Sequence, residues 1–282
     1  MINPWDFYII MLKLANLIGT RQMQKWVAIV AYHGASYHGW QKQPSADSVQ
    51  ERVELALSKV ADHPVDTVCA GRTDSGVHAT SQVIHFVSKS ARTSDQWWLG
   101  GNSYLPSSIR LVDVAPGYGD FSARFSATAR HYIYRIDPAK VSSPHRQGLV
   151  HWVGSGVDVG LLDAVGKSWL GEHDFSSFRD SQCQSHTPVR RLLFWDVKVV
   201  AGLIEIHVVA NAFLHHMVRN MVGVALRVAT KKRPISWGYE VLNKKDRRFA
   251  DQTAAACGLY LHKVYYPNSV VQNIPILVGK GV

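Results

Sequence analysis

Along the chain the apolar positions change period in a repeating way. "WVAIVAY", Trp26 to Tyr32, is a short apolar run rich in β-branched and aromatic residues and reads as a strand. In "SVQERVELALSKVAD" the period lengthens. Val49, Val53, Leu57 and Val60 form a helical stripe, opened by Ser48 with Glu51 in capping-box spacing and closed by Pro64. "VDTVCA" and "SQVIHFV" return to strand, a weaker helix follows around "SDQWWLGGNSYL", and "IRLVDVA" is a further strand. The order is β-α-β-β-α-β.

The second half repeats that order. "RHYIYRI" is a strand with Tyr132, Tyr134 and Ile136 on one face, and a helix runs from about Asp158 to Leu170. "RLLFWDVKVV" and "LIEIHVVA" form a hairpin about Ala201-Gly202. "FLHHMVRNMVGVALRVA" is a helix with a stripe of Phe213, Met217, Met221, Val224 and Val228. An extra short helix near Arg247 to Ala256 ends at Gly258 and leads into the strand "LYLHKVYY". Two such units predict an α+β fold of two tandem ferredoxin-like halves, with mainly antiparallel sheets joined side by side. The groove between them is the natural place for an extended ligand. The halves span residues 25–125 and 126–282, and residues 1–24 are read as an extension outside the fold. No period of 20–50 residues marks a solenoid, and "GSGVDVG" lacks the spacing of a dinucleotide-binding turn.

The extension contains "FYIIMLKLANLIG", which Lys13 interrupts and Asp6 precedes. It is too short to span a bilayer and lacks the basic start and small-residue cleavage site of a signal peptide. Met23 is a candidate start, and a cytoplasmic protein is expected. With 282 residues, 46% of them hydrophobic, the chain is long enough for one large core or two smaller ones. Lys plus Arg exceed Asp plus Glu, 31 to 21, for a net charge of +10, which points to a polyanionic partner and first to nucleic acid. Three dispersed cysteines, Cys69, Cys183 and Cys257, argue against a disulfide framework and a thiolate metal site. His215 and His216 are adjacent. On a helix such neighbours point about 100° apart, so the expectation is no metal site.

The chemistry concentrates in "CAGRTDSGVHATSQVIHF". Its loop between two strands carries Arg72, Thr73, Asp74, Ser75 and His78, more than a turn requires. One reading is structural, with Asp and Ser satisfying turn amides and Arg72 pairing with Asp74. A second is an aspartic peptidase, from the Asp-Ser-Gly triplet. That chemistry needs two carboxylates sharing one proton, whereas this chain has one such triplet, with Arg72 two residues before the acid. A serine hydrolase elbow fails because Thr73, not Gly, stands two places before Ser75. The third reading is an ionised carboxylate acting on a sugar or base flipped from a nucleic acid. Arg72 would fill the vacated space or hold phosphate, and Tyr132 would stack on the extruded base.

Several segments in chain order carry a wider likeness: "CAGRTDSGVHATSQVIHF", "FSARFSATARHYIYRI", "LGEHDFSSF", "CQSHTPVR", "NAFLHHMVRNMVG" and "GLYLHKVYYP". Together, over about Lys25 to Pro267, they resemble the tRNA pseudouridine synthase A family. The resemblance implies the pseudouridine synthase fold and a cofactor-free homodimer. The implied reaction isomerises uridine to pseudouridine in the anticodon arm of tRNA, at tRNA positions 38, 39 and 40. It places the catalytic acid on Asp74, the base-flipping arginine on Arg72, the stacking tyrosine on Tyr132 and a pocket-lining leucine on Leu259. The family's tRNA-contacting segments fall on Phe121, Ser122, Ala123, Arg124 and Phe125, and on Gln182, Cys183, Gln184, Ser185 and His186. Arg92 and Arg124 are expected to contact phosphate, because guanidinium forks suit phosphate oxygens. Tyr32-His33-Gly34 departs from the aspartate-glycine that usually follows the first strand. A non-catalytic RNA-binding protein on the same fold is the competing reading, and it would not need Asp74 beside Arg72.

Overall fold

The computed structural model describes residues 23–278; the reading of the N-terminal extension falls, except for its last two residues, outside the described residues. Gln24–Tyr32 is β1, Val49–Ala61 α1, Thr67–Cys69 β2, His78–Ser88 β3, Ser94–Tyr104 α2 and Ile109–Pro116 β4. The α1 stripe is buried along its whole length, and Ser48 Oγ accepts the Glu51 N–H as a helix cap should. The complete, reciprocal capping box belongs to α2, where Thr93 and Gln96 bond each other's backbone. The weak apolar signal of α2 has a plain cause: Trp97 is buried while Trp98, Leu99 and Tyr104 face outward.

The second unit comprises β5 (Ala129–Asp137), β6 (His151–Trp152), α3 (Val159–Lys167), β7 (Gly171–Asp174), β8 (Val189–Val200), β9 (Leu203–Ala210), α4 (Met217–Ala229), α5 (Ser236–Lys244) and β10 (Leu259–Tyr265), followed by α6 (Asn268–Asn273). The strands form one continuous sheet in the order β4-β1-β3-β10-β5-β9-β8-β7, with β2 on β3 and β6 on β5. Each unit thus has the ferredoxin-like arrangement, β4-β1-β3-β2 in the first and β10-β5-β9-β8 in the second. Neighbours are antiparallel except where β10 meets β3 and β6 meets β5.

The seam explains where chemistry can sit. One edge of β3 is shared: β2 takes Ile84–Phe86, and β10 takes His78 and Ala79. The chain between β2 and β3, Ala70 to Val77, is therefore released where one unit ends and the other begins. Arg72, Thr73, Asp74 and Ser75 lie on that connection, and His78 opens β3.

Two elements differ from expectation. The helix expected from Phe213 begins at Met217, because His216 takes a left-handed φ of 60° and breaks the run before it. The extra helix lies earlier, at α5, and Arg247–Phe249 makes only a 3-10 turn. Beyond that turn the chain is committed to α4. Ala254 N–H donates to Arg219 O at 3.1 Å, and Arg247 bonds Asn220 Oδ1 and Thr253 Oγ1. A helix there would withdraw those partners. Among the described residues, no helix is long and apolar enough to cross a membrane.

Candidate active site

The loop from Gly71 to Val77 is held by its backbone. Trp40 N–H donates to Thr73 O at 3.0 Å, Gly76 N–H to Tyr37 O at 3.3 Å and Val77 N–H to Asp74 O at 3.1 Å. Beneath it, the Tyr32 and Thr73 hydroxyls share a buried hydrogen bond of 2.7 Å. Gly39 lets the chain before α1 approach this loop. Its φ is 86°, and a Cβ there would stand 2.6 Å from Thr73 O. Arg130, on β5, donates to Ala70 O and Arg124 O, tying the loop to the "FSARF" segment.

So fixed, Asp74 projects toward the turn before α4 and is half-buried. Its Oδ2 lies 3.3 Å from Arg219 Nη1 and 3.5 Å from His216 Nε2, and its Oδ1 lies 3.4 Å from His215 Nε2. Burial alone would push the carboxyl pKa up. The approach of His215 and the charges of both histidines and Arg219 outweigh it, leaving the pKa below the ordinary carboxylate value. Asp74 is an anion at neutral pH. Arg219 is itself aimed, since its Nε donates to Ala254 O at 2.9 Å.

This corrects one expectation. The guanidinium that reaches Asp74 is that of Arg219, and Arg72 is exposed and makes no ion pair with it. Nor do the adjacent histidines point apart. They precede the helix rather than lying on it, and their rings stack at 4.0 Å between centroids and 27° between planes. Asp74, His215 and His216 bring three potential ligand atoms within 4.8 Å of one another. Both Nε2 atoms face the Asp74 carboxylate, both Nδ1 atoms face Asp180, and Arg219 already pairs with Asp74. The arrangement suits hydrogen-bond donation better than metal ligation.

Asp74 opens into a cleft of about 950 Å³, lined also by Arg72, Arg124, Tyr132, Phe213 and Leu259. Tyr132 sits on β5 opposite Leu261 of β10 and packs edge-on against Phe213 at 5.1 Å. Burial raises its pKa, and the Asp74 charge adds to the shift, so its hydroxyl stays neutral. Leu259, buried at the start of β10, completes the apolar wall.

The expected tRNA-contacting residues divide. Gln182, Cys183, Gln184 and Ser185 line the same cleft, and His186 is exposed beside them. In the other segment Arg124 lines the cleft and lies over the ring of Phe125, which is 81% exposed. Phe121 and Ala123 are core. Phe121 packs on His85 and Tyr266, and the Ala123 backbone bonds the side chains of both, so neither presents a side chain to a ligand. Ser122 caps the turn by accepting from Phe125 N–H. Arg92 borders a separate cleft with His63 and Lys89, and its Nε donates to Val60 O at 3.0 Å.

The chain matches the family described as tRNA pseudouridine synthase over residues 28–126 and 166–267. It is 44% identical over 249 residues to a tRNA pseudouridine synthase A of Legionella pneumophila (strain Lens), covering 88% of this chain and 95% of that one. A Paraburkholderia xenovorans (strain LB400) protein of the same description is 43% identical, covering 87% and 91%. One from Bordetella petrii is 44% identical, covering 84% and 90%. The chain belongs to the tRNA pseudouridine synthase family. The matched segments hold Arg72, Asp74, His215, His216, Arg219 and Leu259, whereas Tyr132 falls between them and is placed by its pairing with β10. His33, the departure noted above, packs edge-on against His78 at 4.7 Å, immediately after the Asp74 loop. The next residue, Gly34, donates its N–H to His78 Nδ1 at 3.0 Å.

Proposed function

We propose that this protein isomerises uridine to pseudouridine in the anticodon arm of tRNA, with Asp74 as the reacting carboxylate. The observation that carries the reading is an anion flanked by Arg219, His215 and His216 at one end of an aromatic-walled, arginine-lined cleft. The C1′–N1 bond of the target uridine breaks while Asp74 acts at the sugar or base. The freed uracil turns between Tyr132 and Leu259, C1′ bonds to C5, the C5 proton leaves to a nearby base, and N1 takes up a proton in its place. Product and substrate have the same atoms, so no cofactor or oxidant is consumed. Arg72, exposed at the rim, is suited to the space a flipped base leaves behind. Arg124 and the Gln182–His186 strip offer donors to the phosphate backbone on either side.

A second copy of the chain is the expected partner, with the tRNA body on one subunit and the anticodon arm at the other's Asp74; the family resemblance supports this. The same resemblance favours the cytoplasm. A purely RNA-binding role would use the basic cleft but give no reason to cage Asp74. The test is incubation with unmodified tRNA followed by position-by-position mapping of pseudouridine. Product in the anticodon arm that vanishes with Asp74→Asn supports the reading, and no product with the parent chain overturns it.

A further inference from the structure

The contacts behind Asp74 go one layer deeper. Asp180 lies in the loop after β7, next to the Gln182–His186 strip. Its Oδ2 accepts from His216 Nδ1 at 2.8 Å, and its Oδ1 stands 3.4 Å from His215 Nδ1. His215 therefore has a carboxylate at each ring nitrogen: Asp74 at Nε2 and Asp180 at Nδ1. A neutral imidazole has one N–H and would set a lone pair against one of those anions, whereas an imidazolium donates to both. Asp180 is built to stay in place. Its backbone N–H donates to His215 O at 3.1 Å, its O accepts from Cys183 N–H at 3.1 Å, and its Oδ1 accepts from Gln182 N–H at 2.9 Å.

We propose that His215 is a protonated bridge between Asp74 and Asp180, and that Asp180 is a positioning residue for the reaction although it does not meet the reacting atoms. This rests on the assignment of Asp74 above. Asp180 fixes the ring so that Nε2–H holds Oδ1 of Asp74, while Arg219 holds Oδ2. His216 spans the same two carboxylates, with Nε2 3.5 Å from Asp74 Oδ2 and Nδ1 2.8 Å from Asp180 Oδ2, so Asp180 braces both rings that meet Asp74.

The groups around His215 are Asp74 from the β2–β3 loop, Asp180 and Cys183 from the loop after β7, stacked His216 beside it and Arg219 on α4. Cys183 Sγ accepts the His215 N–H at 3.4 Å, and Arg179 bonds the Cys183 carbonyl rather than the ring. The approach of Asp74 raises the His215 pKa above the ordinary 6.5. Burial opposes the shift, and the Asp74 and Asp180 charges add to it. The sign follows. The bridge is complete below the ordinary value and is lost as pH rises through the raised one, so turnover has an alkaline limb set by His215.

The experiment compares the full-length parent chain with Asp180→Asn, which keeps the Oδ1 acceptor for Gln182 N–H but removes the charge. Two readouts are taken: the pH profile of kcat on unmodified tRNA, and the titration of His215 followed by NMR in free protein. The expected result is a His215 midpoint displaced to lower pH and an alkaline limb displaced with it. On the alkaline side of the parent midpoint kcat falls by up to about tenfold, as about one pKa unit gives, and on the acid side by much less, with KM for tRNA unchanged. Asp180→Glu should recover part of that loss. His215→Gln should lower kcat and remove the alkaline limb. A parent chain that makes pseudouridine while Asp180→Asn leaves both limb and midpoint unmoved overturns the bridge alone. A parent chain that makes none overturns the function itself, and the NMR midpoints still judge the bridge.

Discussion

Two arginines near Asp74 do separable work. Arg219 touches the carboxylate and lowers its pKa, and Arg72 stands exposed at the mouth of the cleft. Arg219→Ala should therefore raise the Asp74 pKa and move the acid limb of the pH–rate profile upward. A depressed carboxylate pKa gives an effect present above the ordinary value and lost as pH falls through the shifted one. Arg72→Lys should cut turnover without moving that limb, because a compact ammonium does not reproduce a planar fork. Matching limbs for parent and Arg219→Ala would remove Arg219 from its role. Asp74→Asn should reduce turnover by about 10³-fold or more and leave tRNA affinity nearly intact, which filter binding checks. That Asp74 and Tyr132 would line one cleft was legible because each sits in a local run of residues with its own signature, whereas Leu259 came from the family resemblance. Arg219, 145 positions from Asp74, was not legible. The partner of an ion pair is set by how two segments pack, and sequence spacing carries no trace of it. That the side chains of Phe121 and Ala123 are buried was hidden for a related reason: a segment can adjoin a ligand while turning half its side chains inward.

The order of strands and helices was readable from the change of apolar period, and so was each unit's topology, because a β-α-β-β-α-β order has few unknotted solutions. The seam was not readable. Which of two neighbours β3 takes along one edge depends on β10, contributed from the far end of the chain. The start of α4 was misplaced because "FLHH" is apolar enough to continue the stripe, and only the left-handed His216 ends it. That break makes the paired histidines face Asp74. At the same scale Gly39 sets how closely the chain before α1 approaches the Asp74 loop. Gly39→Ala needs a φ that L residues rarely adopt and puts Cβ against Thr73 O, so a loss of about 1–3 kcal/mol is expected from denaturant unfolding. Turnover should fall further than stability alone explains, since the clash displaces the loop that carries Asp74. A variant with parent stability and parent turnover would show that this approach is not needed.

At the scale of the whole molecule, charge and size set the remaining expectations. A +10 chain that gathers arginines along a cleft should lose tRNA affinity steeply as salt rises, and Arg124→Ala should reduce the magnitude of the log–log slope by about 1. Arg124 shares a cleft with Asp74, so under the proposed function it would serve the anticodon arm at its own subunit's site. Arg92 borders a different cleft with Lys89 and His63, and under the same proposal it would hold tRNA that extends beyond the site. If two chains share one tRNA as proposed, Asp74 and Arg92 of the same productive complex belong to different subunits. A chain with Asp74→Ala keeps its Arg92, and a chain with Arg92→Ala and Lys89→Ala keeps its Asp74. Each homodimer is crippled, but a mixed dimer retains one complete site. Co-expression at equal amounts makes half the dimers mixed, each with one of two sites intact, so about a quarter of parent activity per chain should return. Activity no greater than that of the two variants assayed apart, with mixed dimers verified by differential tags, would place both residues on one subunit and refute the shared arrangement.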